Sequence, residues 1–267
     1  MKKIICNIQK FFNRQYINLP KTVFANFMLL NFCEAIKFPI LIYGSCKLYC
    51  LSGKVKFTEP LKTGMLKIGI SDSVRSFHNK SYIDIRGQLI CGQEVVLRKG
   101  ISLQIYPMGN VELESYVYVG DNNTIISMRK IKIGYATRVG NNTTFMDTDF
   151  HFIVNTSTGV VKSAHGFIDI GVNNWVGGNC IVKKGAQTPK GTILAGPYSM
   201  ISKNYKDKIP EFSIIAGSPA KLLVENMRRI NNDKYQKIMA EHFRKTNEPY
   251  TFTGCCDFDE ICLPEKK

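Results

Sequence analysis

The chain has 267 residues, of which 44% are hydrophobic and 21% charged, the composition of an ordinary globular protein of one large or two small domains. Its 36 Lys and Arg outnumber its 21 Asp and Glu, so the net charge is +15. The basic residues are scattered and no nucleic-acid-binding motif accompanies them, which argues against a nucleic-acid partner. A solvated basic surface and contact with a membrane surface both stay open.

The nine cysteines are odd in number and irregularly spaced. Neither Cys46 with Cys50 nor the adjacent pair Cys255–Cys256 forms a paired zinc-binding pattern, so no metal site is predicted. Free thiols are typical of a reducing cytosol. No signal peptide is evident, and no apolar stretch reaches the roughly 18 residues needed to span a bilayer. We therefore expect a cytoplasmic protein, with contact at the inner face of the membrane left open.

Two helical segments are predicted before the first strands. In residues 1–19, apolar residues recur at helical spacing among lysines, which indicates a short basic amphipathic helix. This helix would either pack on the body of the protein or lie in a membrane interface. Residues 20–44 form a second helical stretch, bracketed by Pro20 and Pro39. We expect residues 1–50 to form a helical cap that covers exposed edge strands.

A six-residue period organises the chain between Ile131 and Lys221. It is clearest at Ile170, Val176, Val182, Thr188, Leu194 and Met200. This period fits neither a helix nor an alternating strand, and it is typical of a solenoid whose coils share one core. Three hexads would make one roughly triangular coil. Each hexad would supply a short strand and a corner where a small residue lets the chain turn.

One long loop interrupts the period. The spacing of six is present upstream at Ile133, Val139 and Phe145, and it resumes only at Ile170. Residues 146–167 are therefore predicted to leave the coil as an ejected loop.

Weaker repeats extend the predicted solenoid in the N-terminal direction. Strand-like runs separated by turn residues begin near Lys47, so residues 51–218 are predicted to form the solenoid domain. Residues 219–267 are predicted to form a helix, ending before Pro249, and a tail. The predicted buried positions of this helix are Leu222, Leu223, Met227, Ile230, Tyr235 and Ile238.

Four motifs accompany the period in a fixed order. They are Thr148–His151, Ile168–Gly177, Ser199–Lys203 and Ile215–Lys221. Together they resemble the hexapeptide-repeat acyltransferases with a left-handed β-helix, most closely the galactoside/maltose and capsular-polysaccharide O-acetyltransferases. The resemblance covers residues 110–222 closely and 20–110 loosely. It implies a mainly β protein, a left-handed parallel β-helix solenoid with an N-terminal helical cap and a C-terminal helix.

His151 is the candidate general base. Acyl transfer to a hydroxyl needs a base that takes up a proton near neutral pH, which is the range of histidine. A lone histidine is more often a loop residue whose ring makes ordinary hydrogen bonds and has no catalytic role. The catalytic interpretation is favoured here because His151 stands in the one long loop, just ahead of the hexad of Trp175. The resemblance implies the same role for His151.

Two carboxylates are candidates to orient the His151 ring. Asp149 and Asp147 lie two and four residues before it and share a face if the segment is extended. A backbone carbonyl could serve equally, and Asp149 could instead form a turn or bind the acceptor. The resemblance also implies that the N–H group of Gly178 faces the thioester carbonyl as an oxyanion donor.

The resemblance implies acetyl-CoA as co-substrate. Residues at the matching positions are Trp175, Gly177, Ala195, Gly196, Ser202, Lys203, Pro219 and Lys221. Trp175 would form the wall beside the pantetheine arm, and the two lysines would meet phosphates. One departure from the family pattern stands out, because Ser199 follows Leu194 by five positions instead of four. An extra residue near Pro197-Tyr198 must therefore bulge.

Six further residues fall where the resembling family contacts its acceptor. They are Asp147, Asn122, Asn123, Asn142, Met146 and His165. Asparagine hydrogen-bonds sugar hydroxyls well but also fills coil corners at little cost, so both interpretations of the three asparagines stay open. For His165 a plain loop position near the acceptor is the simpler interpretation.

The predicted function is that of an acetyl-CoA-dependent O-acetyltransferase acting on a sugar hydroxyl in cell-surface polysaccharide biosynthesis, such as capsule, lipopolysaccharide or exopolysaccharide. The acceptor would be a free or lipid-linked sugar or oligosaccharide, attack on the thioester would be direct, and the protein would be a homotrimer. An N-acyltransferase of an amino sugar and a non-catalytic solenoid scaffold are the alternatives. A metal-dependent hydratase is disfavoured, because His78, His151 and His165 lack ligand spacing.

Overall fold

The computed structural model describes residues 16–70, 79–254 and 256–263. In these ranges the protein is mainly β, with parallel sheets and few helices, as predicted. Most of the predicted N-terminal amphipathic helix, residues 1–15, lies outside the described residues. None of the described helices is long and apolar enough to cross a bilayer.

Two helices precede the strands. Helix α1 spans Leu19–Leu29 and helix α2 spans Phe32–Ala35. Asn18 and Asn31 cap their N-termini by accepting hydrogen bonds from backbone N–H groups of the first turn.

The strands are short and regularly spaced along the chain. In chain order they are β1 Ile40–Ile42, β2 Cys46–Cys50, β3 Lys54–Phe57, β4 Leu66–Ile70, β5 Ser81–Ile85, β6 Gln88–Cys91, β7 Val95–Arg98, β8 Ser102–Ile105, β9 Asn110–Leu113, β10 Tyr118–Val119, β11 Thr124–Ser127, β12 Lys130–Ile133, β13 Arg138–Val139, β14 Thr144–Met146, β15 Phe167–Ile170, β16 Trp175–Val176, β17 Ile181–Lys183, β18 Ile193–Leu194, β19 Met200–Ile201, β20 Ile214–Gly217 and β21 Ala220–Val224.

These strands form three sheets that the chain visits in rotation. The first sheet has the order β1-β4-β7-β10-β13-β16-β18-β20-β21, the second β19-β17-β14-β11-β8-β5-β2, and the third β15-β12-β9-β6-β3. Neighbouring strands are parallel except β20 and β21. Parallel bridges from Asp169 to Gln187 and from Gln187 to Asn204 continue the third sheet. One passage through the three sheets is called a coil below.

The first coil begins earlier than predicted. Residues 40–50 hold strands β1 and β2, so the prediction of a helical cap up to residue 50 is wrong beyond Ala35. Ile40, Leu41 and Ile42 are all apolar, and such a run fits a helix as well as a strand. The ejected loop covers residues 147–166, one residue shorter at each end than predicted, because Met146 ends β14 and Phe167 begins β15.

The six-residue period marks the positions that face the core. Its inward positions Ile133, Val139, Phe145, Ile170, Val176, Val182, Thr188 and Leu194 are all buried. The prediction that Met200 faces the core is wrong. The buried residue is Ile201, which pairs with Val182 in the second sheet. The extra residue lies in the corner before β19, where Tyr198 adopts a φ of 62°. It shifts the period by one.

The C-terminal region differs most from the prediction. Residues 220–224 form the antiparallel strand β21 on β20, and a helix begins only later, as α3, Asp233–Lys245. A short helix α4, Phe258–Cys262, follows. The predicted burial of Leu222 and Leu223 is wrong, since both are exposed, and α3 has no buried residue. Pairing with the free edge of β20 satisfies the backbone of this apolar run, which helical periodicity cannot foresee.

Candidate active site

The predicted site residues are carried by two corners of the coil. The Gly178 corner, residues 120–123, 140–143, 177–180 and 195–199, joins the first sheet to the second. The excursion corner, residues 128–129, 147–166, 184–186 and 202–203, joins the second sheet to the third. The ejected loop belongs to this second corner.

The structure divides the predicted residues between these corners. The Gly178 corner carries Asn122, Asn123, Asn142, Gly177, Gly178, Ala195 and Gly196, and Trp175 lies on the strand that enters it. The excursion corner carries Asp147, Asp149, His151, His165, Ser202 and Lys203, and Met146 ends the strand that enters it. Pro219 and Lys221 lie apart, at the turn and start of the β20–β21 hairpin.

Within one chain the two corners are far apart. They lie at opposite ends of the strands of the second sheet, with Gly178 before β17 and Lys184 after it. At about 3.3 Å per residue, the extended stretch from Cys180 to Lys184 alone separates the two corners by about 13 Å. Asp149 contacts Lys184, so the His151 loop is anchored at the far end of this distance. A single chain therefore does not bring His151 to Gly178.

The ejected loop is a hairpin held by backbone hydrogen bonds. At its base, the Asp149 N–H donates to Ala164 O at 2.8 Å and the Gly166 N–H donates to Asp147 O at 2.7 Å. Nearer its tip, Val154 and Val161 form an antiparallel bridge. The loop is therefore an ordered arm on the excursion corner.

His151 lines a groove formed by this hairpin and by Lys184, the residue that follows β17. The groove has a volume of about 590 Å³ and is lined by Asp149, His151, Ile153, Val154, Asn155, Thr158, Val160, Lys162, Ser163 and Lys184. Within the described part of the chain, no residue forms a hydrogen bond or ion pair with the His151 ring. Both ring nitrogens thus stay available to an acceptor.

Asp149 is held by two lysines. Its Oδ2 lies 2.7 Å from Lys184 Nζ and its Oδ1 lies 3.4 Å from Lys183 Nζ. The hydrogen bond from Lys184 lowers the pKa of Asp149, with Lys183 adding to the effect. The ion pair is therefore complete above the ordinary carboxyl pKa and is lost only as the pH falls through the lowered value. The structure shows no hydrogen bond between Asp149 and His151, and orientation of the ring by Asp149 stays a prediction.

Sequence reasoning missed the two lysines. Both directly follow the inward residue Val182, and Lys183 pairs with Met146, the last residue before the loop. The position one coil after Met146 in the second sheet is that of Lys183, so extending the six-residue period across the loop would have located both lysines. Lys184 also donates to Ser163 O at 2.9 Å, so it fastens both ends of the hairpin.

Asp147 is a structural residue, which corrects its prediction as an acceptor contact or ring orienter. It is fully buried, and its carboxylate accepts hydrogen bonds from Ser127 Oγ at 2.8 Å and from the backbone N–H groups of Met128 and Arg129 at 2.7 and 3.0 Å. These bonds fix the preceding coil's turn at the excursion corner. A carboxylate occupied in this way is closed to a sugar.

Replacing Asp147 tests this structural role. We expect Asp147→Ala to lower the free energy of unfolding by at least about 2 kcal/mol, because buried backbone donors lose a charged acceptor. Equilibrium urea denaturation measures the change. Asp149→Ala is the matched control, and its loss should be smaller because the Asp149 pair is partly exposed. Equal losses for the two variants would contradict the assignment.

Of the three predicted asparagines, Asn123 is buried and structural, whereas Asn122 and Asn142 lie nearer the surface. Asn123 is fully buried, donates to Gly120 O and Gly140 O, and accepts from the Thr143 N–H at 2.7 Å, so its prediction as an acceptor contact is wrong. It links two successive coils inside the corner. Asn142 is exposed, while Asn122 accepts a hydrogen bond from Asn79. Both have positive φ, as expected of asparagine at a corner.

His165 is anchored at the base of the hairpin. Its Nδ1 lies 2.9 Å from Thr148 Oγ1, and its ring meets Phe152 edge-on at 6.3 Å. Thr148 Oγ1 also accepts from the Phe150 N–H. These contacts explain His165 as a residue that shapes the loop, in contrast to His151, whose ring has no hydrogen-bond partner among the described residues.

The Gly178 corner offers a free backbone donor. No described residue accepts a hydrogen bond from the Gly178 N–H, whereas the neighbouring Gly177 N–H donates to Leu194 O at 2.9 Å. The coils are closely stacked here, because a Cβ on Gly140 would come within 2.5 Å of Gly178 N. Trp175 is turned away from the core and is 44% exposed.

The remaining cofactor candidates occupy three different places. Ala195 and exposed Gly196 lie in the Gly178 corner, where Ser199 Oγ donates to Ala195 O and accepts from the Gly217 N–H. Ser202 and Lys203 lie in the excursion corner, and Lys203 Nζ stands 5.5 Å from the Tyr205 ring. Exposed Lys221 follows Pro219 in the terminal hairpin.

No protein-family model matches the sequence. Among solved structures, the fold is similar to AntD, an N-acyltransferase from Bacillus cereus in complex with dTDP and 3-hydroxybutyryl-CoA (15% identity over 79% of this chain and 89% of that chain, TM-score 0.38). It is also similar to the polySia-specific acetyltransferase NeuO (17% identity, 78% and 99% of the two chains, TM-score 0.41) and to the polysialic acid O-acetyltransferase OatWY (18% identity, 74% and 95%, TM-score 0.36). All three TM-scores lie below 0.5, so these likenesses carry no part of the functional argument.

Proposed function

We propose that the protein is an acetyl-CoA-dependent O-acetyltransferase acting on a sugar hydroxyl in cell-surface polysaccharide biosynthesis. The observation that carries the proposal is the His151 ring, which no described residue hydrogen-bonds, in the groove of the ordered hairpin at residues 147–166. The sequence motifs around His151 indicate the class of reaction, which is acyl transfer. The three sheets are proposed to be the faces of a left-handed solenoid.

The chemistry assigns one role to each corner. His151 removes the proton of the acceptor hydroxyl, and the oxygen attacks the thioester carbonyl carbon. The Gly178 N–H stabilises the oxyanion that forms. The carbon–sulfur bond then breaks, and the coenzyme A thiolate leaves and takes up a proton.

An acyl-enzyme through cysteine is disfavoured at this corner. Cys180 is the cysteine beside Gly178, but it is buried and burial raises its pKa. Its thiol already contacts Gly178 O at 3.5 Å and Gly196 O at 3.3 Å. The thiolate that a nucleophile needs is therefore poorly populated, and we propose direct transfer.

The complete site is proposed to form between subunits of a homotrimer. The corners of one chain are at least about 13 Å apart along the strands of the second sheet, so we propose that the excursion corner of one subunit meets the Gly178 corner of another. Both corners expose large apolar side chains. Ile153 on the hairpin is 74% exposed, and Tyr198 at the Gly178 corner is 77% exposed. Apolar side chains clustered in this way are typical of a surface that a partner covers.

The charge of the groove favours a hydroxyl over an amine. Lys162 and Lys184 line it against the single carboxylate of Asp149. An amino sugar is protonated at neutral pH and would be repelled by this excess of positive charge. O-acylation is therefore the proposed reaction, and N-acylation of an amino sugar is an outcome that the assay below would reveal.

The test is release of free coenzyme A from acetyl-CoA against a panel of neutral, acidic and amino sugars and lipid-linked oligosaccharides. Coenzyme A alone should raise the melting temperature by several degrees at a concentration far above its Kd. Lys221→Ala should weaken this shift and raise KM with little change in kcat, whereas the control Lys54→Ala, on the third sheet, should change neither. A chain that neither binds coenzyme A nor releases it would be a scaffold.

A further inference from the structure

Helix α1 turns its polar side chains inward. Its buried residues are Thr22, Ala25, Asn26 and Leu29. Asn26 Nδ2 donates to Ile40 O at 2.7 Å and Asn26 Oδ1 accepts from the Ile40 N–H at 3.2 Å. Thr22 Oγ1 accepts from the Ile42 N–H at 3.0 Å. These bonds satisfy the free edge of β1, the first strand of the first sheet.

The opposite face of the cap consists of large apolar residues. Those exposed are Leu19, Val23, Phe24, Phe27, Met28, Phe32 and Ile36. They follow one side of α1 and continue over α2, and Leu19 and Phe32 are 67% and 70% exposed. We call this set the cap face. Single exposed apolar residues are common, but a contiguous set of them on the solvent side of a helix marks a surface that contacts something apolar.

The charges of this region favour a membrane over another protein chain. Residues 1–37, which include the cap face, contain six basic residues, Lys2, Lys3, Lys10, Arg14, Lys21 and Lys37, against one acidic residue, Glu34. An anionic lipid surface attracts such a segment, because each basic residue near the surface adds electrostatic attraction. A second copy of the chain would bring the same positive charges together across the contact.

We propose that the cap face docks on the surface of an anionic phospholipid bilayer, with the apolar residues in the interface and the chain remaining on one side. The site stays clear of this contact, because β16 is five strands away from β1 in the first sheet. At about 4.8 Å per strand, Trp175 lies about 24 Å from the cap. The inference does not rest on the proposed catalytic function.

Sedimentation of the full chain with vesicles tests the proposal. Vesicles of phosphatidylcholine with about 30% phosphatidylserine should bind the wild type, pure phosphatidylcholine should bind it much less, and salt should weaken the binding. The double variant Phe24→Ser, Phe27→Ser should bind at least about tenfold more weakly, because both rings lose their interfacial contact. Both side chains are exposed, so the fold should not change.

The control is a second pair of exposed apolar residues. Leu223→Ser, Phe243→Ser should bind vesicles as the wild type does. The proposal is overturned if the cap variant binds as tightly as the wild type, or if the wild type binds no anionic vesicles. It is also overturned if the cap variant lowers the oligomer mass without affecting vesicle binding, since the cap face would then contact a second copy. Turnover on a soluble acceptor, measured in parallel, reports on the catalytic proposal separately.

Discussion

His151→Ala is expected to lower kcat by about 10²–10⁴ with acetyl-CoA and a verified sugar acceptor, the usual cost of losing a general base. The ring lines the groove and has no partner among the described residues, so its loss removes chemistry without breaking a structural contact. The affinity for coenzyme A should change little, because the ring meets the hydroxyl and not the nucleotide. Steady-state kinetics and a coenzyme A titration measure the two effects separately.

His165→Ala is the matched control. His165 sits in the same hairpin but bonds Thr148 and contacts Phe152, so its loss should disturb loop geometry and cost less than the loss of His151. If His151→Ala keeps more than about a third of wild-type turnover, or His165→Ala falls further, the base is assigned to the wrong histidine.

The fold was predictable to the extent that a period of six was visible. From Ile133 to Leu194 the period places the buried residues correctly, because each inward residue must fill the same core in successive coils. It fails at Met200, where one extra residue in the corner moves Ile201 inward. It also fails at Ile40–Ile42, because an apolar run on a terminal strand carries no alternation.

The sequence predicts a set of candidate site residues but not their division between two corners. Spacing in sequence predicts His151 and Gly178 in one site, yet they lie at opposite ends of the strands of the second sheet, which only the order of the strands reveals. Spacing also could not distinguish buried Asp147 from half-exposed Asp149, since both precede the histidine at even intervals. The Asp147 carboxylate is directed to backbone N–H groups of the previous coil, a contact that is remote in sequence.

Mixing two inactive variants is expected to restore activity. His151→Ala removes the base on the excursion corner, and Gly178→Glu places a negative charge where the oxyanion forms. In a homotrimer whose sites form between subunits, every mixed trimer contains one interface that joins an intact His151 to an intact Gly178. A doubly tagged, co-expressed mixture should therefore show about one third of wild-type kcat, although each parent is nearly inactive.

The controls for this experiment separate assembly from folding. Gly178→Ala should keep most of its activity, because its Cβ would lie 3.1 Å from Asn141 O and needs only a small adjustment. Light scattering should give the same oligomer mass for both parents and for the mixture. Mixed oligomers as inactive as the parents would mean that one chain forms the whole site. That result would contradict the separation of at least about 13 Å between the corners, since His151 would then have to reach from one end of the second-sheet strands to the other within one subunit.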